Sequence, residues 1–283
     1  MSSESKIDIF LEDKNTLIQF SQDGDTYNFT TTLANSDVVP TNTTRLTQKE
    51  LPPYLTTNKV FIVDSIKSGT GRDVDNKNLY STIIQPLFKL LQIEYEYFAT
   101  TSANSIIEFA QSLKSDDVTI IFISGDTSIN EFINGLSESR ANRNITIFPI
   151  PNGTGNGLAL SVNLTSPIDS ISKLITSTNK PQPFLYLVSF NTQEDPEGNG
   201  EYIMKVMKDV YNKGSHASDP DVTYEKVGPG DEITLKTNNT KPIRNRRFCV
   251  DGSIIALPEE EQCEIKVNIS NNVHKNWNLY IIH

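Results

Sequence analysis

The chain has 283 residues, a hydrophobic fraction of 36% and a formal net charge of −10. This length and apolar content suffice for two domains with packed cores. The acidic balance argues against a nucleic-acid-binding protein, which needs a basic surface to neutralise phosphates. The two cysteines, Cys249 and Cys263, provide neither a disulfide framework nor a clustered set of metal ligands.

No targeting or membrane segment is visible along the sequence. The N-terminus lacks a basic segment followed by an apolar run, and no apolar run approaches the roughly 20 residues of a membrane helix. We therefore expect a cytoplasmic protein.

Residues 1–57 form the first predicted region. Short alternating stretches between Ile7 and Phe29 predict strands, and Asp23-Gly24-Asp25 predicts the turn of a hairpin. Residues 35–53 are polar and punctuated by proline, which is typical of a linker.

Residues 58–180 form the second predicted region, an α/β nucleotide-binding domain. Apolar strand-like runs alternate here with amphipathic stretches of helical spacing, which predicts βαβ units around a parallel, Rossmann-like sheet. The predicted strands are 59–63, 93–98, 118–123 and 144–150, and the predicted helices are 79–91, 105–113 and a segment ended by Gly135.

Residues 181–283 form the third predicted region. Short strand-like segments follow one another without a sustained helical period. They predict a C-terminal antiparallel β-sandwich, which the N-terminal strands could join.

Three glycine loops follow the three strongest apolar strands. The first glycine loop is 67–71, the second is 124–128 and the third is 152–157. Ligands of open parallel sheets collect outside the carboxyl ends of the strands. Glycine lets the backbone approach a phosphate closely, and the helix that follows offers free N–H groups. Together the loops predict a phosphate-binding site.

Asp126 in the second glycine loop allows two interpretations. It could cap the helix that follows, a contribution of about 1 kcal/mol. Alternatively, it could accept a proton from an alcohol that attacks a phosphate. Glu131 lies more than one turn further on, where it could hydrogen-bond loop groups or be exposed to solvent.

Five sequence blocks resemble the diacylglycerol kinase-like catalytic domain, the superfamily of sphingosine, ceramide and diacylglycerol kinases. The segment SGDTSINEFINGL is similar to its signature loop and helix, and PNGTGNGLALS is similar to its second signature. The remaining blocks are KSGTG (67–71), KGSH (213–216) and FCVDG (248–252).

The resemblance implies an ATP- and Mg²⁺-dependent kinase that phosphorylates a lipid hydroxyl, of a sphingoid base or of diacylglycerol. It implies that Asp126 is the general base, that Asp251 lies near the metal, and that the protein makes transient peripheral contact with a membrane. With the glycine loops, it gives the candidate nucleotide-binding residues Ser68, Gly69, Gly71, Thr100, Ser124, Gly125, Thr127, Ser128, Glu131, Gly153, Thr154, Gly155 and Asn156.

Departures from the family pattern support an alternative, a catalytically impaired relative that binds nucleotide or lipid as a regulatory or scaffold protein. Thr127 replaces a glycine, and a β-branched residue is poorly suited to a positive φ or a close backbone approach. Ser253 replaces a carboxylate, and the interval 190–201 is too short for the family's arginine segment. An arginine cluster could face phosphates instead or form a solvated turn: Arg244, Arg246 and Arg247.

Overall fold

A computed structural model describes residues 5–66, 77–137, 143–183, 231–238, 247–250, 253–256, 262–268 and 277–282. Two compact units make up the chain. The first comprises Met1–Phe184 and Trp277–His283, and the second comprises Leu185–Asn276.

The N-terminal residues fold into a four-stranded sheet of the first unit. Its strands are β1 (Ser5–Leu11), β2 (Thr16–Asp23), β3 (Thr26–Leu33) and β4 (Thr44–Leu46), in the order β3-β2-β1-β4. The predicted hairpin turn is present, and Gly24 adopts the positive φ of +57° that such a turn requires.

The predicted linker at 35–53 is more ordered than its composition suggested. Its residues 44–46 form β4, which pairs in parallel with β1. Leu46 and Leu51 are buried. The segment therefore contributes to the core, and helix α1 (Pro53–Thr56) follows directly.

A six-stranded sheet forms the centre of the first unit. It contains β5 (Lys59–Asp64), β6 (Glu96–Ala99), β7 (Asp117–Ser124), β8 (Arg143–Pro151), β9 (Gln182–Pro183) and the C-terminal strand β14 (Trp277–Ile281). The order is β6-β5-β7-β8-β14-β9, and all neighbouring pairs are parallel except β14 with β9. The predicted parallel α/β sheet is thus present.

Helices cover both faces of this sheet. They are α2 (Gln85–Leu91), α3 (Ser105–Ser112), α4 (Asp126–Gly135), α5 (Gly157–Ser161) and α6 (Pro167–Thr176). A π-helical turn at Tyr80–Ile84 leads into α2. Because Pro86 has no N–H and its ring crowds the preceding turn, a wider turn at this point relieves the helix.

The central sheet has a separate hydrophobic core on each of its faces. On one face, Ile9 and Phe20 of the N-terminal sheet pack in a cluster with Ile62 of β5, Phe88 of α2 and Ile171 of α6. The other face carries a second cluster, which includes Phe61 and Val63 of β5, Phe109 of α3, Phe122 of β7 and Phe132 of α4. Alternate residues of β5 therefore point into different cores, as expected for a strand buried on both faces.

The described strands of the second unit form two antiparallel pairs. One pair is β10 (Glu232–Asn238) with β13 (Gln262–Asn268), and the other is β11 (Arg247–Val250) with β12 (Ser253–Ala256). Antiparallel pairing agrees with the predicted β-rich region, whereas a sandwich of these strands stays a prediction.

Two predicted assignments need correction. The N-terminal strands belong to the first unit, because their apolar face packs in the core shared with α2 and α6. The last strand, predicted to lie in the C-terminal region, pairs in parallel with β8. Ile281 and Ile282 are almost fully buried there, so this strand completes the central sheet.

Candidate functional site

The candidate site lies where the strand order of the central sheet reverses. The chain passes from β5 to β6 on one side and returns to β7 on the other, so the switch point falls between β5 and β7. These strands end at Asp64 and Ser124, and their pairing continues through a hydrogen bond from Ser65 N to Ile123 O of 3.2 Å. Crevices at such points are the usual ligand sites of open α/β sheets.

Thr100 braces the start of the loop that follows β5. Its N–H donates to Asp64 O at 3.0 Å, and its hydroxyl accepts from Ile66 N at 3.2 Å. The structure therefore places Thr100 at the predicted site. Ser68, Gly69 and Gly71 of the first glycine loop lie outside the described residues.

The second and third glycine loops touch each other through their backbones. A Cβ atom at Gly153 would lie 2.4 Å from the Cα of Gly125, and a Cβ at Gly125 would lie 2.6 Å from the oxygen of Gly155. No side chain fits at Gly125 or Gly153. Their glycines are thus needed for contact between the loops, whereas a Cβ at Gly155 would meet no atom within 4 Å.

Backbone hydrogen bonds fix the two loops as one assembly. Asn152 N donates to Ser124 O at 3.1 Å, and Asp126 N donates to Gly155 O at 3.0 Å. The side chain of Asn156 folds back on its own loop, accepting from Gly153 N at 3.0 Å and donating to Gly153 O at 2.8 Å. Asn156 therefore shapes the third glycine loop.

The carboxylate of Asp126 caps α5, and not the helix in which Asp126 itself lies. Oδ2 accepts from Gly157 N at 2.7 Å, and Oδ1 accepts from Leu158 N at 3.1 Å. The expectation that α5 offers free N–H groups to a phosphate is therefore wrong, because Asp126 already binds its first two amides. The capping interpretation is correct in kind but concerns a helix about 30 residues further along the chain.

Thr127 occupies the first turn of α4 and is exposed to solvent. Its φ is not positive, since the positive-φ residues other than glycine among the described residues are Asn15, Gln92 and Asn163. Gly125 precedes the helix with φ −94° and ψ −178°, an extended conformation. The predicted conflict between a β-branched side chain and this loop is therefore wrong, because a helical conformation suits threonine.

Backbone donors for an anion remain at the start of α4. The first amides of a helix have no intrahelical acceptor, and Asp126 N is bonded to Gly155 O. The amides of Thr127 and Ser128 are the next two, at the positive end of a ten-residue helix. Ser124 and Ser128 are buried, whereas Thr154 presents an exposed hydroxyl.

Glu131 lies further along α4 and is half-buried. Burial raises the pKa of its carboxyl group. At helical spacing Glu131 shares a stripe with Ser128 and Gly135, and Gly135 packs against Ile107 of α3. Glu131 thus lies on a helix that starts at the site, one and a half turns beyond Asp126.

Asp64 is a residue of the site that the sequence analysis missed. It ends β5 and is only 3% exposed, and its Oδ2 accepts a hydrogen bond of 3.1 Å from the Tyr97 hydroxyl. The ring of Tyr97 stacks on that of Tyr80 with centroids 3.7 Å apart, and burial raises the pKa of the Tyr80 hydroxyl. The signal in the sequence was an acidic residue directly after an apolar run.

Metal ligands are not gathered in the described part of the chain. No group of three or more His, Cys, Asp or Glu residues there could hold a metal ion. Asp251, Arg244 and Arg246 lie outside the described residues, and for Arg247 only the main chain, in β11, is described. Mg²⁺ in kinase sites needs only one or two carboxylates besides substrate phosphates, so this finding is compatible with nucleotide-borne Mg²⁺.

The helices of the described residues are too short or too polar to cross a membrane.

Comparison with known proteins shows which proteins this part of the chain is similar to. Residues 60–184, which contain β5 to α6 and all three glycine loops, match the diacylglycerol kinase catalytic domain. The match covers less than half of the chain, and residues 60–184 are therefore similar to a lipid kinase domain. The expected resemblance is confirmed for these residues.

Two curated proteins are similar to this chain over segments of similar length. Sphingosine kinase B of Dictyostelium discoideum is 33% identical over 128 residues, which is 44% of this chain. Sphingoid long-chain bases kinase 1 of Arabidopsis thaliana is 31% identical over 125 residues, or 41% of this chain. The matches span 16% of the length of each relative. Among solved structures, a diacylglycerol kinase from Bacillus anthracis is 25% identical, with 44% of this chain and 45% of that chain covered and a TM-score of 0.35.

Proposed function

We propose that this chain is an ATP-dependent lipid kinase that phosphorylates the hydroxyl group of a sphingoid long-chain base. The observation that carries the proposal is the joined pair of glycine loops at the carboxyl ends of β7 and β8, beside the switch point and inside the segment that matches the kinase family. Both curated relatives are named as kinases of sphingoid bases, which favours a sphingoid base over diacylglycerol as the substrate.

The start of α4 supplies the proposed phosphate-binding groups. The amides of Thr127 and Ser128 would donate to phosphate oxygens, and the exposed hydroxyl of Thr154 would add a third donor. Gly155 leaves open space on the same loop, so a phosphate can approach its backbone. ATP supplies the γ-phosphoryl group and Mg²⁺ neutralises part of its charge when both are bound.

Asp126 is the proposed proton acceptor. Its carboxylate accepts hydrogen bonds from the amides of Gly157 and Leu158 beside the glycine loops. A carboxylate next to a bound phosphate can accept the proton of an attacking lipid hydroxyl. In the transfer, the hydroxyl oxygen forms a bond to the γ-phosphorus, the bond to the β-γ bridging oxygen breaks, and ADP leaves.

A lipid hydroxyl reaches such a site only from a bilayer or a carrier. We therefore propose a cytoplasmic protein that contacts a membrane transiently, with Mg²⁺ held by the nucleotide phosphates.

The test is transfer of labelled phosphate from ATP and Mg²⁺ to sphinganine, ceramide and diacylglycerol, each presented in mixed micelles. We expect labelled product with sphinganine. Product with diacylglycerol alone would refute the sphingoid assignment, and no product with any lipid would refute the kinase.

A second candidate function is nucleotide or lipid binding without transfer. It is favoured by Ser253 in place of the family's carboxylate and by the short interval 190–201, which lacks the arginine segment. Measurable ATP binding together with no lipid product would establish this candidate. Thr127 does not support it, because its conformation is unstrained.

A further inference from the structure

The carboxylate of Asp126 joins two parts of the chain that meet only in the folded protein. Asp126 follows β7, and the amides that it binds, those of Gly157 and Leu158, follow β8. Its own N–H returns a hydrogen bond to Gly155. Main chain and side chain of Asp126 therefore hold the C-terminal half of the third glycine loop and the start of α5.

Helix α5 depends on this acceptor. It has five residues, too few for a stable helix without outside contacts. Hydrogen bonds to an ionised carboxylate are about twice as strong as neutral ones, and a negative charge is favourable at the positive end of a helix. Asp126 thus fixes where α5 begins, and with it where the loop residues Gly153–Asn156 end.

We propose that Asp126 is a positioning residue for the third glycine loop, in addition to any role in proton transfer. In this account the loop keeps the shape that receives a phosphate because the Asp126 carboxylate holds the first two amides of α5. The account rests on the proposed function for the identity of the ligand, ATP, but not for the loop geometry.

The substitution Asp126→Asn has different expected effects for a proton acceptor and for a positioning residue. Asp126→Asn replaces one oxygen by an NH₂ group, which sets a donor against an amide donor and removes one of the two hydrogen bonds. A residue that only accepts a proton would leave ATP binding intact when changed in this way. A positioning residue would weaken ATP binding as well.

The first measurement uses the wild-type full-length chain and resolves amide hydrogen exchange residue by residue. First-turn amides of a helix normally exchange fast because they lack acceptors. We expect the amides of Gly157 and Leu158 to exchange about tenfold or more slowly than that of Thr127, which is in the first turn of α4. Equal rates at the three positions would overturn the proposal without reference to kinase activity.

The second measurement compares Asp126→Asn with a matched control, Asp117→Asn. Asp117 is the first residue of β7, at the end of the strand opposite to the site. It is exposed, and its carboxylate accepts a hydrogen bond from the side chain of Asn144. Its substitution therefore removes the same charge at a position away from the site. Circular dichroism establishes that each variant is folded. We expect Asp126→Asn to accelerate exchange at Gly157 and Leu158 about tenfold and to weaken binding of a non-hydrolysable ATP analogue by a similar factor.

Asp117→Asn should match the wild type in both measurements. Loss of lipid phosphorylation in Asp126→Asn, with wild-type exchange and wild-type ATP affinity, would assign Asp126 to proton transfer alone and overturn the positioning role. A wild-type chain that binds no ATP would refute the proposed function, while the exchange rates would still decide the positioning role.

Discussion

Glycine serves different purposes at neighbouring positions of the candidate site. At Gly125 and Gly153 it allows two backbones to touch, and at Gly155 it leaves space in front of the loop. The family signature alone does not distinguish these roles, since both are written with the same letter. Only the contact between loops from different strands reveals which glycine is required for packing and which one has open space in front of it.

Substitution of two glycines by alanine tests this distinction. Gly153→Ala places a Cβ 2.4 Å from backbone, so we expect a loss of about 1–3 kcal/mol or more in the free energy of unfolding. Gly155→Ala meets no atom and should leave this free energy unchanged or raise it by up to about 1 kcal/mol. Urea denaturation measures both effects. Equal destabilisation by the two variants would contradict the assignment.

Glu131 makes stability depend on pH. Burial raises the pKa of Glu131 in the folded chain, because the ionised carboxylate is disfavoured there. The free energy of unfolding therefore decreases as the pH rises from the pKa of Glu131 in the unfolded chain to its pKa in the folded chain. Glu131→Gln should therefore raise the Tm at pH 7. The gain should shrink near pH 4, where the carboxyl is largely protonated in both states.

Thermal melts of wild type and Glu131→Gln at the two pH values measure this effect. A larger gain at the acidic pH would show that Glu131 is stabilised as an anion. Glu108→Gln is a suitable control for the change in net charge. Glu108 lies in the neighbouring helix α3 and is exposed to solvent, whereas Glu131 is half-buried.

The residue types of the site were predictable from the sequence, but their partners were not. The positions of Ser124, Gly125 and Asp126 after an apolar strand indicated a polar turn at a sheet edge. That Asp126 binds the amides of Gly157 and Leu158 depends on β7 and β8 being neighbours. No local pattern contains that information, so the sequence assigned the cap to the wrong helix.

At the scale of elements, α4 is held against α3 by close backbone contact. A Cβ at Gly135 would lie 2.9 Å from the Cα of Ile107 and 3.1 Å from the Cβ of Ala110. The glycine that ends α4 therefore sets the distance between the helices, and hence the position of the amides at the start of α4.

Gly135→Ala should separate these helices and lower the free energy of unfolding by about 1–3 kcal/mol. The neighbouring Asn134→Ala is the control, because Asn134 is exposed and alanine is the better helix former. Chemical denaturation of both variants is the measurement. A Gly135→Ala protein as stable as the control would show that the helices do not pack as described.

The positions of helices and strands with a long apolar run or a clear periodicity were predicted correctly. The ends of elements that are set by a local turn or cap were predicted less well. The strands β5, β7 and β8 and the helices α3 and α4 match their predicted positions within a few residues. The predicted strand at 93–98 begins only at Glu96, because the end of α2 is closed by Gln92 at φ 57° and by a hydrogen bond from Ile93 N to Phe88 O.

Helix α6 was missed although the sequence contains its signals. Ser166 caps it by accepting from Asp169 N, Pro167 stands at its first position, and four buried residues have helical spacing. They are Ile168, Ile171, Leu174 and Ile175.

At the scale of the whole molecule, the N-terminal sheet is part of the first unit's core and extends beyond the family match. Phe20 of β2 is 1% exposed and lies in the cluster that also contains Phe88 of α2. The family match begins only at residue 60. The core of the first unit therefore includes residues outside the segment that matches the family.

Phe20→Ala should destabilise the central sheet together with the N-terminal sheet. We expect a loss of about 3–5 kcal/mol in the free energy of unfolding, as for other fully buried phenylalanines. Leu33→Ala, at an 81% exposed position of the same sheet, should have little effect. Loss of the N-terminal sheet in a separate early transition, with the remaining residues as stable as in wild type, would contradict a shared core.

Long-range pairing limited prediction at this scale. The alternation of strands and helices gave the parallel sheet, but β14 enters it from the far end of the chain, and β4 joins the N-terminal sheet from a segment that resembled a linker. Neither sequence segment indicates which strand it pairs with. The predicted boundary at residue 57 therefore falls inside the first unit, and β14 returns to that unit from the C-terminal region.

We propose that the second and third glycine loops form one nucleotide site. Amide hydrogen exchange, measured with and without Mg²⁺ and a non-hydrolysable ATP analogue, tests this proposal. We expect slower exchange at the amides of Thr127, Ser128, Thr154 and Gly155 on binding, and no change around Asp117 at the opposite end of β7. Unchanged exchange at both loops, or protection confined to other parts of the chain, would contradict it.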